Sequence, residues 1–132
     1  MSAFSRLQAT ICQRGIDQLL RDNSGIRQAL VATSDGFEIV TAPPHTAETA
    51  AQLAAMSSSM LALAEAMVRE ARLSTCNDVL VDCEAGRLML LSVPLQDTQF
   101  VLCVASGNDT TLGHVLSSAR LCAQEISRRL QT

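Results

Sequence analysis

The sequence has no tryptophan, no tyrosine and no lysine, and only three phenylalanines in 132 residues. So few aromatic rings rule out a base-stacking platform for single-stranded nucleic acid. All ten basic residues are arginine, and they are scattered apart from Arg128-Arg129. The net charge is −3, so the clustered basic stripe of a nucleic-acid footprint is missing as well. The longest apolar run, Phe100 to Ala105, is far short of a membrane span, and the opening Met1-Ser2-Ala3-Phe4-Ser5-Arg6 has no apolar h-region. The expectation is a cytoplasmic chain that binds neither nucleic acid nor membrane.

Catalytic signatures are missing too. There is no G-x-x-x-x-G-K-[ST], so the chain is not itself a P-loop GTPase, and no G-x-G-x-x-G or G-x-S-x-G occurs. The five cysteines (Cys12, Cys76, Cys83, Cys103, Cys122) are odd in number and form no C-x-x-C pair. Each lies in or beside an apolar stretch, where a free cysteine behaves as a small hydrophobe. His45 and His114 stand alone, without the spaced partners a metal site needs. Asp78, Asp82 and Glu84 share one strand face, but no partner nucleophile accompanies them. Arg69, Arg72 and Arg87 are the candidates for an arginine finger acting in trans, against the plainer reading of solvated helix-end and turn charges. No catalytic, cofactor or metal residue is assigned.

What is present is apolar patterning. Hydrophobic residues make up 48% of the chain, enough for one domain over residues 1–132 that needs no disulfide or metal to fold. Ser5-Arg6-Leu7-Gln8 reads as a capping box opening a first helix that ends near Asp22, before Asn23-Ser24-Gly25. Ala29–Thr33 and Phe37–Thr41 read as a hairpin closed by Ser34-Asp35-Gly36, with Pro43-Pro44 ending its second strand. A long helix is expected from Ala47 to Leu73, capped by Thr46 and on the order of 40 Å long. Strands follow at Asp78–Cys83, Arg87–Val93 and Gln99–Ser106. A last helix, capped by Asp109, runs to about Leu130. Leu88 to Leu91 and Phe100 to Ala105 are continuous apolar runs, which means strands covered on both faces. The fold class is mixed α/β of the α+β kind: a five-stranded antiparallel sheet with helices on both faces, in the order α-β-β-α-β-β-β-α.

The long helix carries the informative surplus. Leu53, Met56, Met60, Leu61, Leu63, Ala64, Met67, Val68 and Ala71 span an arc of roughly 160°, where one packing face needs about 100°. Either the helix is deeply buried in its own subunit or a second molecule covers the rest. Ser57-Ser58-Ser59 is small enough for close helix approach. The strand Asp78–Cys83 is an edge unless paired, with Asp78 and Asp82 as its possible protection.

Element order and turn placement together resemble the roadblock/dynein light chain family. The matching segments are Ala29 to Phe37, the Ala- and Ser-rich long helix, Val79-Leu80-Val81-Asp82, Leu88 to Val93, and Asn108 to Gly113. The resemblance implies a profilin-like, roadblock-type domain that forms homodimers or heterodimers. Third strands would join into one sheet and the long helices would pair, placing Leu53, Ser57, Met60, Leu61, Ala64, Val68, Asp78, Val79, Leu80, Val81 and Asp82 at the interface. It also implies a non-enzymatic regulator or scaffold for a small Ras-like GTPase, since a bacterial gliding-motility member stimulates GTP hydrolysis. The alternative is a small-molecule-sensing module. A hydrolase using Cys76 or Cys83 ranks last, because no paired base is in view.

Overall fold

The computed structural model describes residues 5–132. The elements are α1 (Arg6–Asp22), β1 (Ile26–Thr33), β2 (Glu38–Ala42), α2 (Ala47–Glu70), β3 (Asp78–Cys83), β4 (Gly86–Pro94), β5 (Gln99–Ser106) and α3 (Leu112–Leu130). One antiparallel sheet holds all five strands in the order β2-β1-β5-β4-β3. The chain-order neighbours β2 and β3 therefore lie at opposite edges.

Helix α1 starts where the capping box puts it: Gln8 N–H donates to Ser5 Oγ, and Ser5 N–H donates to Gln8 Oε1. The first hairpin turns through Gly36, whose φ of 99° is the left-handed conformation that glycine adopts without strain. Strand β1 begins at Ile26, earlier than the expected Ala29, because Ile26 and Gln28 pair with Ser106 and Ala105 of β5.

Two helix ends differ from expectation. Helix α2 stops at Glu70 rather than Leu73. The N–H of Leu73 returns to the Val68 carbonyl and that of Arg72 to Arg69, closing a Schellman turn with Arg72 at φ 60°. Glycine usually holds that position, and its substitution by arginine hid the stop. Helix α3 is capped by Thr111, whose side chain accepts from the His114 N–H. Asp109, the expected cap, instead ion-pairs with Arg27 at 3.2 Å.

The two sheet faces are covered unequally. Helices α1 and α3 lie side by side on one face and enclose the main core, which includes Ile16, Val31, Met89, Leu102 and Ile126. Gly15 lets the helices close: a Cβ there would stand 2.6 Å from Ile126 Cγ1. On the other face α2 lies alone, chiefly over β1, above a small cluster of Leu30, Ala32, Ala50, Ala54, Leu90 and Cys103.

Candidate functional site: the open half of the sheet

Helix α2 carries two parallel stripes. Ala50, Ala54, Ser57 and Leu61 are buried on the sheet, spaced four, three and four residues apart. Small residues in this stripe bring the helix close, and Ser58 Oγ donates to the Thr33 carbonyl at 2.7 Å. Met56, Met60, Leu63 and Met67 repeat the same spacing about 120° around the helix. They point outward, with exposures of 59%, 43%, 63% and 64%. Such spacing is the seam by which one helix meets another.

Beside this outward stripe the sheet is only partly covered. Leu88 and Leu90 of β4, with Leu53, Met56, Met60 and Leu63 of α2, line an open groove of about 590 Å³. Leu88 and Val79 are only half-buried. Beyond β4 the sheet ends at β3, which pairs only with β4.

The expected interface residues divide in two. Met60 and Leu80 are exposed, as is Asp82, while Leu53, Ala64, Val68, Asp78, Val79 and Val81 are half-buried. Ser57 and Leu61 depart from expectation. Both are buried against their own sheet, Leu61 at 1% exposure, with Ser57 at the margin of the groove. Met56, Leu63 and Met67 are the large α2 side chains exposed beside Met60. The 4-3-4 spacing of large side chains was the available signal; a wheel that merged both stripes into one arc obscured it.

Polar groups around the site are mostly engaged with one another. Arg120 of α3 holds Asp78 through Nε and Nη2, the latter at 2.6 Å. Glu65 of α2 accepts from Gln99 Nε2 at 3.2 Å. Of the three arginine-finger candidates, Arg87 is half-buried and donates to the Thr110 carbonyl at 3.2 Å. Arg69 and Arg72 are exposed at the end of α2.

The cysteines are free thiols. Burial pushes the Cys103 and Cys76 thiols up, and those of Cys12 and Cys122 up to about 12. None of these four has the lowered pKa of a nucleophile. Among the described residues no group of three His, Cys, Asp or Glu side chains could hold a metal ion.

At 24 residues α2 is long and apolar enough to cross a bilayer by length and composition alone. Its inner stripe is nevertheless seated on the sheet, so the apolar surplus belongs to a helix with one face covered and one open.

Residues 14–106 match the sequence model of the Roadblock/LC7 domain. The chain belongs to this family. Its roadblock fold is shared with solved structures at low identity. Myxococcus xanthus MglB is similar at a TM-score of 0.83 and 15% identity, over 98% of this chain and 94% of that one. A Roadblock/LC7 domain from Streptomyces avermitilis is similar at 0.79 and 15%, over 90% and 97%. The gliding protein MglB from Thermus thermophilus is similar at 0.78 and 15%, over 95% and 92%. Among curated proteins none matches this chain.

Proposed function

We propose that two copies of this roadblock domain, or one copy and a related domain, associate through the outward stripe of α2 and the edge of β3. The resulting platform binds a small Ras-like GTPase in the cytoplasm, as a regulator or scaffold without chemistry of its own. The observation that carries this reading is the seam Met56–Met60–Leu63–Met67 standing beside a half-bare sheet face. The opposite face needs two helices to cover it; this one has a single helix and room for another. Methionine suits such a seam, because its unbranched thioether adapts to the surface it meets. The likeness to MglB, a gliding protein, supports a GTPase as the further partner.

Small-ligand sensing is less well supported. A ligand site needs a few converging polar groups in an apolar pocket. The groove offers Ser57 and Ser59 among apolar side chains, and it is open along its length.

Replacing Met60 with Glu puts a charge into the seam while the residue stays solvated in a single subunit. The expected result is a folded monomer with a dimer dissociation constant raised at least ~100-fold, about 2.7 kcal/mol. Light scattering across a dilution series reads the mass, and circular dichroism reads the fold. A Met60→Glu protein with the wild-type dimer constant rejects this interface. Capture of a GTPase by the wild-type chain in a GTP analogue, and its loss with Met60→Glu, tests the platform.

A further inference from the structure

We infer that Arg120 is the interfacial clamp that sets the register in which β3 joins its copy, by holding Asp78 and the partner's Asp82 together across the joint. This rests on the pairing proposed above and adds a residue that lies on neither α2 nor β3.

The register follows from symmetry and side-chain chemistry. A two-fold axis perpendicular to the sheet keeps each side chain on its own face. Facing residues must then have the same parity, so the joint centres on a residue. Two centres pair five residues of β3 each: Leu80, which uses residues 78–82, and Val81, which uses residues 79–83. The Val81 centre sets Leu80 against the partner's Asp82, and Asp78 against the partner's Glu84. The Leu80 centre sets Leu80, 45% exposed in the single subunit, against its own copy. It also sets Val79 against the partner's Val81, prolonging the apolar floor beneath α2.

The Leu80 centre has one apparent fault: it brings Asp78 opposite the partner's Asp82, twice per dimer. Facing side chains in an antiparallel pair have Cβ atoms about 4.5–5.5 Å apart, and like charges there are destabilising. Arg120 removes the fault. It approaches Asp78 from α3 on the same side of the sheet, with side-chain exposures of 48% for Arg120 and 13% for Asp78. Its Nε and Nη2 are engaged with Asp78, leaving Nη1 for the carboxylate opposite. Arg87, the neighbour of Asp82 across its own hairpin, directs Nη1 to the Thr110 carbonyl instead. A strand that looks protected by two aspartates is thereby selective for an edge bearing a carboxylate at one position.

Sedimentation equilibrium of the full chain tests this with Arg120→Gln, alone and combined with Asp82→Asn. Arg120→Gln should weaken the dimer about tenfold, and adding Asp82→Asn should return it to within about twofold of wild type. Asp82 lacks a contact with Arg120 inside one subunit, so the rescue separates a lost clamp from a damaged fold. In a Cys83→Ser background, Leu80→Cys should cross-link to its copy on oxidation much faster than Val81→Cys. An unchanged constant for Arg120→Gln, a weakening that Asp82→Asn leaves in place, or faster cross-linking at position 81 overturns the inference while leaving the α2 seam standing. A wild-type chain that is monomeric at all concentrations, and that cross-links at neither position, overturns the pairing itself.

Discussion

The two faces of one sheet are finished differently. On the α1/α3 face two helices close over the strands, and the side chains beneath them, such as Leu102, Met89 and Val104, have no contact with water. On the α2 face a single helix sits over β1, and the β3–β4 half is left partly bare. Both faces are built from apolar side chains of similar size, so hydrophobicity alone does not separate a core from a docking surface. What separates them is whether the chain supplies enough helix to cover the face. Stability should reside in the first face and association in the second.

The largest expected effect tests that division on the closed face. Leu102→Ala opens a cavity among fully buried neighbours and should cost about 4 kcal/mol of folding stability, measured by urea unfolding. A loss below about 1 kcal/mol would show that this face is not the stabilising one. The sharper comparison lies within one turn of α2. Leu61→Ala should lower stability by about 3 kcal/mol. Leu63→Ala should leave single-subunit stability within about 0.5 kcal/mol and weaken dimerisation instead. Equal effects of the two changes on either readout would erase the distinction between inner and outer stripes.

The next effect uses an absence in the sequence. With no lysine or tyrosine, side-chain titration between about pH 9 and 11 falls to the thiols. Cys12 and Cys122 lie on the closed face, their pKa pushed up to about 12 from an unfolded value near 9. Their neutral form is favoured by folding. The stability this provides is complete below about pH 9 and is lost as pH rises from 9 toward 12. Under reducing conditions the folding free energy read from urea unfolding should fall by about 2 kcal/mol or more between about pH 8.5 and 10.5. The double variant Cys12→Ala/Cys122→Ala should remove most of the slope, leaving the part carried by Cys103 and Cys76, and an unchanged slope would place the titration elsewhere.

Most of the fold could be read from the sequence because its signals are local. The capping box at Ser5, the turn at Gly36 and the continuous apolar runs of β4 and β5 each act within a few residues. The Schellman turn at Arg72 was illegible because its energetics favour glycine and the surrounding helix overrides that preference. The cap at Thr111 was missed because Asp109 is drawn to Arg27, a residue 82 positions away in the chain. The candidate site was half legible for a related reason. A helical wheel reports an apolar arc but not which part of it the sheet occupies. That depends on where β1 and β4 run beneath α2, and here Ala50, Ala54, Ser57 and Ser58 turn inward with Leu61, while the methionines face out.

The smallest expected effect tests that inversion directly. Ser58 and Ser59 are adjacent, yet Ser58 is buried with its hydroxyl on the Thr33 carbonyl, while Ser59 is exposed at the groove. Thr33 O also accepts the Gly36 N–H at 3.0 Å, so Ser58→Ala removes one hydrogen bond without leaving the acceptor bare. The cost should therefore stay near about 1 kcal/mol rather than reach the larger penalty of an unsatisfied buried carbonyl. Ser59→Ala should change folding stability by less than about 0.3 kcal/mol. If Ser59→Ala proved the more destabilising of the two, α2 would be rotated about its axis relative to this structure. The methionine seam would then face the sheet, and the open half would no longer call for a second helix.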